Sequence, residues 1–330
     1  MALILSRTDV QRCFTMTEAI EAMRVAFSAL QQRNAQMPQR SSVALPEQGV
    51  ALCMPSLLHL SEQQSLGLKV VTIVPRNLTQ GLPLIYASVL LLDALTGKTL
   101  AILEGGWLTA MRTGAAAGLA TDLLARRDAD VLALFGAGGQ APTQVMAIHA
   151  VRPLREVRVF NRSKEHYQNL VSTLQILLGS DCPVLRHVGS AREALEGALL
   201  ASCATTATTP LFSWKDIARG AHINAIGAYT PAMCEVDAET LAHAHVVVDQ
   251  REAALTEAGD LLQALEAGKI GDATTWQELG EVVFNKQVVR RSDEEITVFK
   301  SVGLGVQDVA AAWYVYKKAR EMGLGVEVEV

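Results

Sequence analysis

The stretch Asp130–Ser163 leaves this chain the least freedom. Val131–Phe135 is a short apolar run, suited to a strand buried on both faces. It leads at once into Gly136-Ala137-Gly138-Gly139-Gln140-Ala141, a G-x-G-x-x-A pattern. Gln140–Val151 reads as a helix with Pro142 in its first turn, where amides lack helical partners anyway. Glu156–Phe160 reads as the next strand. A glycine trio alone is a weak signal. Placed after a strand, at the start of a helix and ahead of a second strand, it predicts a dinucleotide-binding βαβ unit. Gly136 serves the tight turn, Gly138 lets the backbone approach a pyrophosphate, and Ala141 keeps helix and strand close. Gly136, Ala137, Gly138, Gly139 and Gln140 are the candidate cofactor-binding residues, with phosphates on the unpaired amides.

The end of the second strand selects the cofactor. A carboxylate there accepts from ribose hydroxyls and repels a 2′-phosphate. This chain has Asn161, Arg162 and Ser163, which suit a phosphate: guanidinium forks bind it, and Asn and Ser can donate to it. NADP(H) is expected, with NAD(H) used more weakly. The bland alternative makes Arg162 a solvated residue at a helix start.

Size and charge remove other classes. The 330 residues suffice for two domains with real cores. A net charge of −5 without long single-sign runs argues against nucleic acid or an anionic membrane as partner. Five scattered cysteines without a CxxC pair fit a reduced, cytoplasmic protein, and the histidines show no metal spacing. The apolar Ala2–Leu5 is too short for a signal peptide, and no run approaches the ~18 residues of a membrane span.

Along the chain, Thr15 and Glu18 form a capping-box pattern ahead of a helix to about Arg33. Met37–Ser41 is extended. Val50–Met54, Leu66–Val74, Leu84–Leu92 and Thr99–Glu104 read as strands, the last two joined by a turn over Asp93–Lys98. Residues 1 to about 105 therefore form an α+β unit with an antiparallel sheet. Leu108–Leu124 is a small-residue helix, read as the join between domains. Beyond it, strands at Val184–Val188, Leu200–Ala204, His222–Gly227, His245–Asp249 and Ile296–Phe299 alternate with helical stretches at Ala191–Leu199, Glu257–Lys269 and Thr275–Val282. That alternation predicts an α/β fold with a doubly wound parallel sheet of Rossmann type. A final helix over Gln307–Met322 is expected to return to the first domain.

Three cations in the first third stand in unusual settings. Lys69 interrupts an apolar strand, Arg112 lies in the small-residue helix and Arg40 in an extended segment. Each alone reads equally as a solvated surface charge. Together, ahead of a nicotinamide domain, they suggest a pocket for an anionic substrate, with Lys69 as acid or base. Thr205 ends a strand on the side where such sheets hold ligands. Lys300–Gly303 ends the last strand and is expected to close the nicotinamide pocket.

The pieces PQR at Arg40, GLK at Lys69, LTAMRTGAAAG around Arg112, GAGGQA, INAIGAYTP and FKSVG resemble the ornithine cyclodeaminase/mu-crystallin family from the first helix to the last. The resemblance implies a homodimer and a discontinuous substrate-binding and dimerisation domain, residues 1–113 with 304–330, around an NADP-binding domain of residues 114–303. It implies that Arg40, Lys69 and Arg112 surround the substrate carboxylate, with Ser301 also on the substrate and Arg112, Thr113 and Thr205 at the cofactor. Cyclodeaminases of the family carry an aspartate just after the glycine of the IGAYTP segment. This chain has Ala228 there. Together with Asn161-Arg162-Ser163, that departure resembles the family's NADPH-using ketimine reductases. The implied reaction is reduction of Δ1-pyrroline-2-carboxylate or Δ1-piperideine-2-carboxylate to L-proline or L-pipecolate. An alanine- or arginine-type amino-acid dehydrogenase, a cyclodeaminase and a non-catalytic ligand binder are the alternatives.

Overall fold

Alternating inward and outward side chains build the first of two compact units, Met1–Arg112 with Leu304–Val330. The computed structural model describes residues 1–61 and 63–329. The unit's strands are β1 (Ala2–Leu5), β2 (Ala35–Gln36), β3 (Ser41–Ala44), β4 (Val50–Leu60), β5 (Gln63–Ile73), β6 (Ile85–Asp93) and β7 (Thr99–Glu104). With the C-terminal strand Val326–Val328 first, the sheet runs through β1, β7, β6, β5 and β4 to β2, and β3 also pairs with β4. All pairings are antiparallel except β1 with β7. Asp93 closes the β6–β7 turn by accepting from the amides of Leu95 and Thr96.

The inner sheet face is covered by helices Met16–Gln31 and Gly305–Met322. The first has the expected capping box, Thr15 with Glu18. A second box, Ser6 with Asp9, starts a helix over Arg7–Cys13 that the sequence reading passed over. The apolar Ala2–Leu5, dismissed as too short for a signal, is β1. In β5, Ser65, Gly67, Lys69 and Val71 point inward and are buried, so Lys69 takes the core phase of its strand. A Cβ on Gly67 would lie 2.5 Å from Val309, which is how closely the covering helix sits on the sheet. The opposite face carries cross-strand apolar rows, Leu57–Leu66–Leu92 and Pro55–Leu68–Leu90, all exposed or half-buried.

The second unit, Thr113–Gly303, is a Rossmann-type α/β domain. Its strands are β8 (Val131–Phe135), β9 (Glu156–Phe160), β10 (Val184–His187), β11 (Leu200–Cys203), β12 (His222–Ala225), β13 (Ala244–Val248), β14 (Gln277–Glu278) and β15 (Ile296–Lys300). They run β10-β9-β8-β11-β12-β15-β13-β14, parallel at every pairing. The chain winds outward from β8 to β10, then returns to place β11 on the other side of β8. That reversal opens a crevice at the C-terminal ends of β8 and β11.

Three helical expectations need correction. Ala191–Leu199 is helical only to Leu195. The helix expected over Glu257–Lys269 is shorter, Gly259–Glu266, and a separate helix, Arg251–Glu257, ends just ahead of it. The break at Ala258 brings Gly259 so near the 230–233 loop that a Cβ there would lie 2.0 Å from the Met233 carbonyl. The neighbouring Asp260 carboxylate accepts from the amides of Glu235 and Val236, so tertiary hydrogen bonds override helix continuity. The stretch Thr275–Val282 is mixed. Gln277–Glu278 pairs with β13 as β14, and the helix begins only at Leu279.

Candidate active site

Helix Gly105–Leu124 starts where Glu104 accepts from the amides of Gly106 and Trp107. Two turns on, it carries Arg112, which is 6% exposed. The first turn of helix Gly305–Met322 supplies Gln307 and Asp308, at 0% and 1% exposure. Asp308 lies between two cations of its own unit. Lys69 Nζ is 2.6 Å from Asp308 Oδ2, and Arg112 Nε donates to Asp308 Oδ1 at 3.0 Å. Arg112 Nη1 donates to Gln307 Oε1 at 2.8 Å, and the Leu304 amide donates to the same oxygen at 3.0 Å. The Arg112 Nη2 edge carries none of these bonds.

Burial is the main reason that the Lys69 ammonium titrates early. Together with the Arg112 and Arg40 charges, and against the raising effect of Asp308, it brings the value down from 10.5 to about 8. Arg40, half-buried just before β3, is thus close enough to act on Lys69. Of the three cations singled out from sequence, Lys69 and Arg112 meet on one carboxylate. Sequence reasoning missed Gln307 and Asp308, although the signal was present: two polar residues inside the apolar run Gly305–Ala312.

In the second unit, the glycine loop leaves β8 with Gly136 at φ 93°, a left-handed conformation that favours glycine. A Cβ there would lie 2.7 Å from the Ala204 carbonyl at the end of β11. Gly138 and Gly139 face open space, and the Ala141 amide donates to the Gly138 carbonyl as helix Ala141–Val151 begins. A loop that is tight on its sheet side and bare on its outer side fits a dinucleotide pyrophosphate. At the end of β9, Asn161 Nδ2 donates to the Ser163 carbonyl, and Ser163 Oγ caps helix Lys164–Leu178 by accepting from the His166 amide. Arg162 is exposed. Asn161, Arg162 and Ser163 thus stand together at the N-terminus of helix Lys164–Leu178.

The neighbouring strand ends are joined by buried carboxylates that no local pattern singles out. Glu235 is fully buried. Its Oε1 accepts from the Thr205 amide at 2.7 Å and hydroxyl at 2.8 Å, and its Oε2 from the amides of Gly227 at 2.7 Å and Ala228 at 3.2 Å. Burial raises its pKa, against the lowering effect of Lys300 and these bonds. Lys300, also fully buried, pairs with Asp260 at 2.6 Å and donates to the Ala228 carbonyl at 2.6 Å. Asp249 accepts from the Ser301 hydroxyl and from the amides of Val302 and Gly303. The hydroxyl hydrogens of Thr205 and Ser301 are thus committed, which leaves both side chains as acceptors toward any ligand. Thr113 is half-buried, directly after Arg112. Among the described residues no cluster of three His, Cys, Asp or Glu is suited to a metal, and no helix is long and apolar enough to cross a membrane.

The family profile of the ornithine cyclodeaminase/mu-crystallin family matches residues 1–323. The chain belongs to that family. It is 39% identical over 329 residues to a Δ1-pyrroline-2-carboxylate reductase of Bacillus cereus, covering 99% of both chains. The Thermococcus litoralis Δ1-pyrroline-2-carboxylate reductase, solved in complex with NADH and L-proline, is 38% identical, with a TM-score of 0.93 over 99% of this chain and 100% of that one. An archaeal alanine dehydrogenase dimer with bound NAD is 33% identical, with a TM-score of 0.90 over 99% of each.

Proposed function

We propose that this chain is an NADPH-preferring ketimine reductase that converts Δ1-pyrroline-2-carboxylate, and its six-membered homologue, to L-proline and L-pipecolate. It is an oxidoreductase acting on C=N bonds, as the likeness to reductases over its whole length supports. The observation that carries the reading is the buried Lys69–Asp308–Arg112 cluster. Lys69 and Arg112 share one carboxylate, so that group keeps a positive charge for a substrate carboxylate.

In this reading Gly136–Gln140, Thr113, Arg112 and Thr205 would hold a nicotinamide dinucleotide, whose chemistry would be the supply of a hydride to an imine carbon. Arg112, through its Nη2 edge, and Arg40 bind the carboxylate. Lys69 orients the substrate and gives its proton to the ring nitrogen. That proton bonds to the nitrogen's lone pair; as C2 gains its hydrogen, the C=N π pair becomes the new lone pair on nitrogen, and the proton drawn from Lys69 is replaced from solvent. A protonated imine is the better acceptor, so this is general acid catalysis. Ser301 accepts from a donor on the substrate. Asn161, Arg162 and Ser163 bind the 2′-phosphate. The sheet rows around Leu66 and Leu68 bury against a second copy in a homodimer.

Ala228 argues against ammonia loss from ornithine. No acid stands at that position, and the nearby Glu235 is buried and occupied by four backbone and hydroxyl donors. The likeness to alanine dehydrogenase favours a second reading, reductive amination of an open-chain 2-oxo acid. Following cofactor oxidation with Δ1-pyrroline-2-carboxylate, in the absence of ammonia and with NADPH and NADH in parallel, separates the two. Turnover without ammonia supports imine reduction. Turnover only with ammonia and a 2-oxo acid replaces it with the dehydrogenase.

A further inference from the structure

Asp308 touches neither ring nor hydride in the reaction above, yet among the described residues it is the most buried carboxylate of the first unit. It is 1% exposed, and each oxygen faces a different cation, Lys69 at 2.6 Å and Arg112 at 3.0 Å. We propose that Asp308 is a positioning residue, which keeps Lys69 as the ammonium and turns Arg112 so that its Nη2 edge meets the substrate carboxylate. The proposal rests on the ketimine-reductase reading and deepens it.

Geometry carries the argument. The groups that act on the Lys69 charge are Asp308 on helix Gly305–Met322, Arg112 on helix Gly105–Leu124, and Arg40 ahead of β3. Two are cations and oppose the ammonium, as burial does. Of these three groups, Asp308 is the one that favours it. Without that carboxylate, Lys69 would face two guanidinium groups in a dry site and would release its proton at a lower pH. A neutral Lys69 cannot protonate an imine. The same carboxylate fixes the second function. Arg112 is gripped at Nε by Asp308 and at Nη1 by Gln307, whose own oxygen is locked by the Leu304 amide. The guanidinium plane is thereby set before substrate arrives, which is where preorganised binding gains its rate. Asp308 is also in the first turn of its helix, where a negative charge is favoured.

The test compares wild type, Asp308→Asn and Asp308→Glu, recording kcat, KM and kcat/KM against pH with Δ1-pyrroline-2-carboxylate and NADPH. For Asp308→Asn we expect kcat/KM at pH 7 to fall about 10²-fold, within the range of a lost general acid. The basic limb of the profile should move at least about one pH unit lower, with KM for NADPH changed less than about twofold. Asp308→Glu keeps the charge and misplaces it by one methylene. Its basic limb should stay with wild type while kcat falls about tenfold, as expected from a misaligned site. An Asp308→Asn limb that coincides with wild type overturns the proposal, and so does an Asp308→Glu enzyme with wild-type kcat. If Asp308→Asn does not fold, the Glu variant decides alone by its kcat. A wild type that leaves the cyclic imine untouched defeats the ketimine reading instead, which keeps the two failures distinct.

Discussion

At the scale of single residues, Lys69 and Arg162 carry opposite kinds of information. Lys69→Met removes the proposed acid but leaves Asp308 paired with Arg112, so the fold should survive. We expect kcat to fall about 10²–10⁴-fold with NADPH affinity retained, measured by steady-state turnover and by cofactor fluorescence titration. Unchanged turnover would remove Lys69 from the chemistry. With Lys69 at about 8, wild-type kcat/KM should fall as pH rises through that value, because the acid is then deprotonated. The stability sign is the reverse. The folded value lies below 10.5, so between about 8 and 10.5 the unfolded chain binds the extra proton and stability rises with pH. Arg162 is exposed and needs no partner for folding. Arg162→Asp should raise KM for NADPH about 10–100-fold, the worth of a charge-assisted bond, and leave NADH nearly unchanged. Equal losses with both cofactors would show that this loop does not read the 2′-phosphate. Lys69, Arg112 and Arg40 were legible as a set because each breaks a local pattern. Asp308 was not, because an acid near a helix start also reads as an ordinary first-turn residue, and only the packing of that helix on β5 buries it against Lys69.

Elements were legible where periodicity and punctuation agree. β8, β9 and β7 fall on their expected residues, since apolar runs there are bounded by turn residues. The same reading found helices over residues 257–269 and 275–282 but missed their bounds, which contact with distant chain decides: Asp260 with the 235–236 amides, and β14 with β13. The junction of helices Gly105–Leu124 and Ala141–Val151 is another long-range decision, visible at Gly114. A Cβ there would lie 2.4 Å from the Thr143 carbonyl. Backbone at that distance cannot swing aside as a side chain can. Alanine would gain about 1 kcal/mol of helix propensity, and the forced separation of the helices costs about 1–3 kcal/mol or more. We expect the clash to win, so Gly114→Ala lowers the midpoint of urea unfolding. A raised midpoint would mean that the two helices can part without loss.

For the whole molecule, the outer face of the first unit's sheet poses a problem that one chain leaves open. Rows Leu57–Leu66–Leu92 and Pro55–Leu68–Leu90 lie side by side across β4, β5 and β6, with little charge among them. A contiguous apolar face of this kind marks an interface more often than a solvated surface. The two rows lie on the sheet's outer face, away from the helices that bury Lys69, so a self-complementary contact there would bury them without using the cluster. Leu68→Asp discriminates. Inside a dimer it would place a carboxylate in a dry contact, at a cost of several kcal/mol. On a solvated face it would cost almost nothing. Wild type should behave in light scattering as twice the chain mass of 35.4 kDa, and Leu68→Asp should approach the single-chain mass with unchanged circular dichroism. A wild type that runs as one chain at micromolar concentration, or a Leu68→Asp variant that stays paired, would rule out this face as the dimer contact.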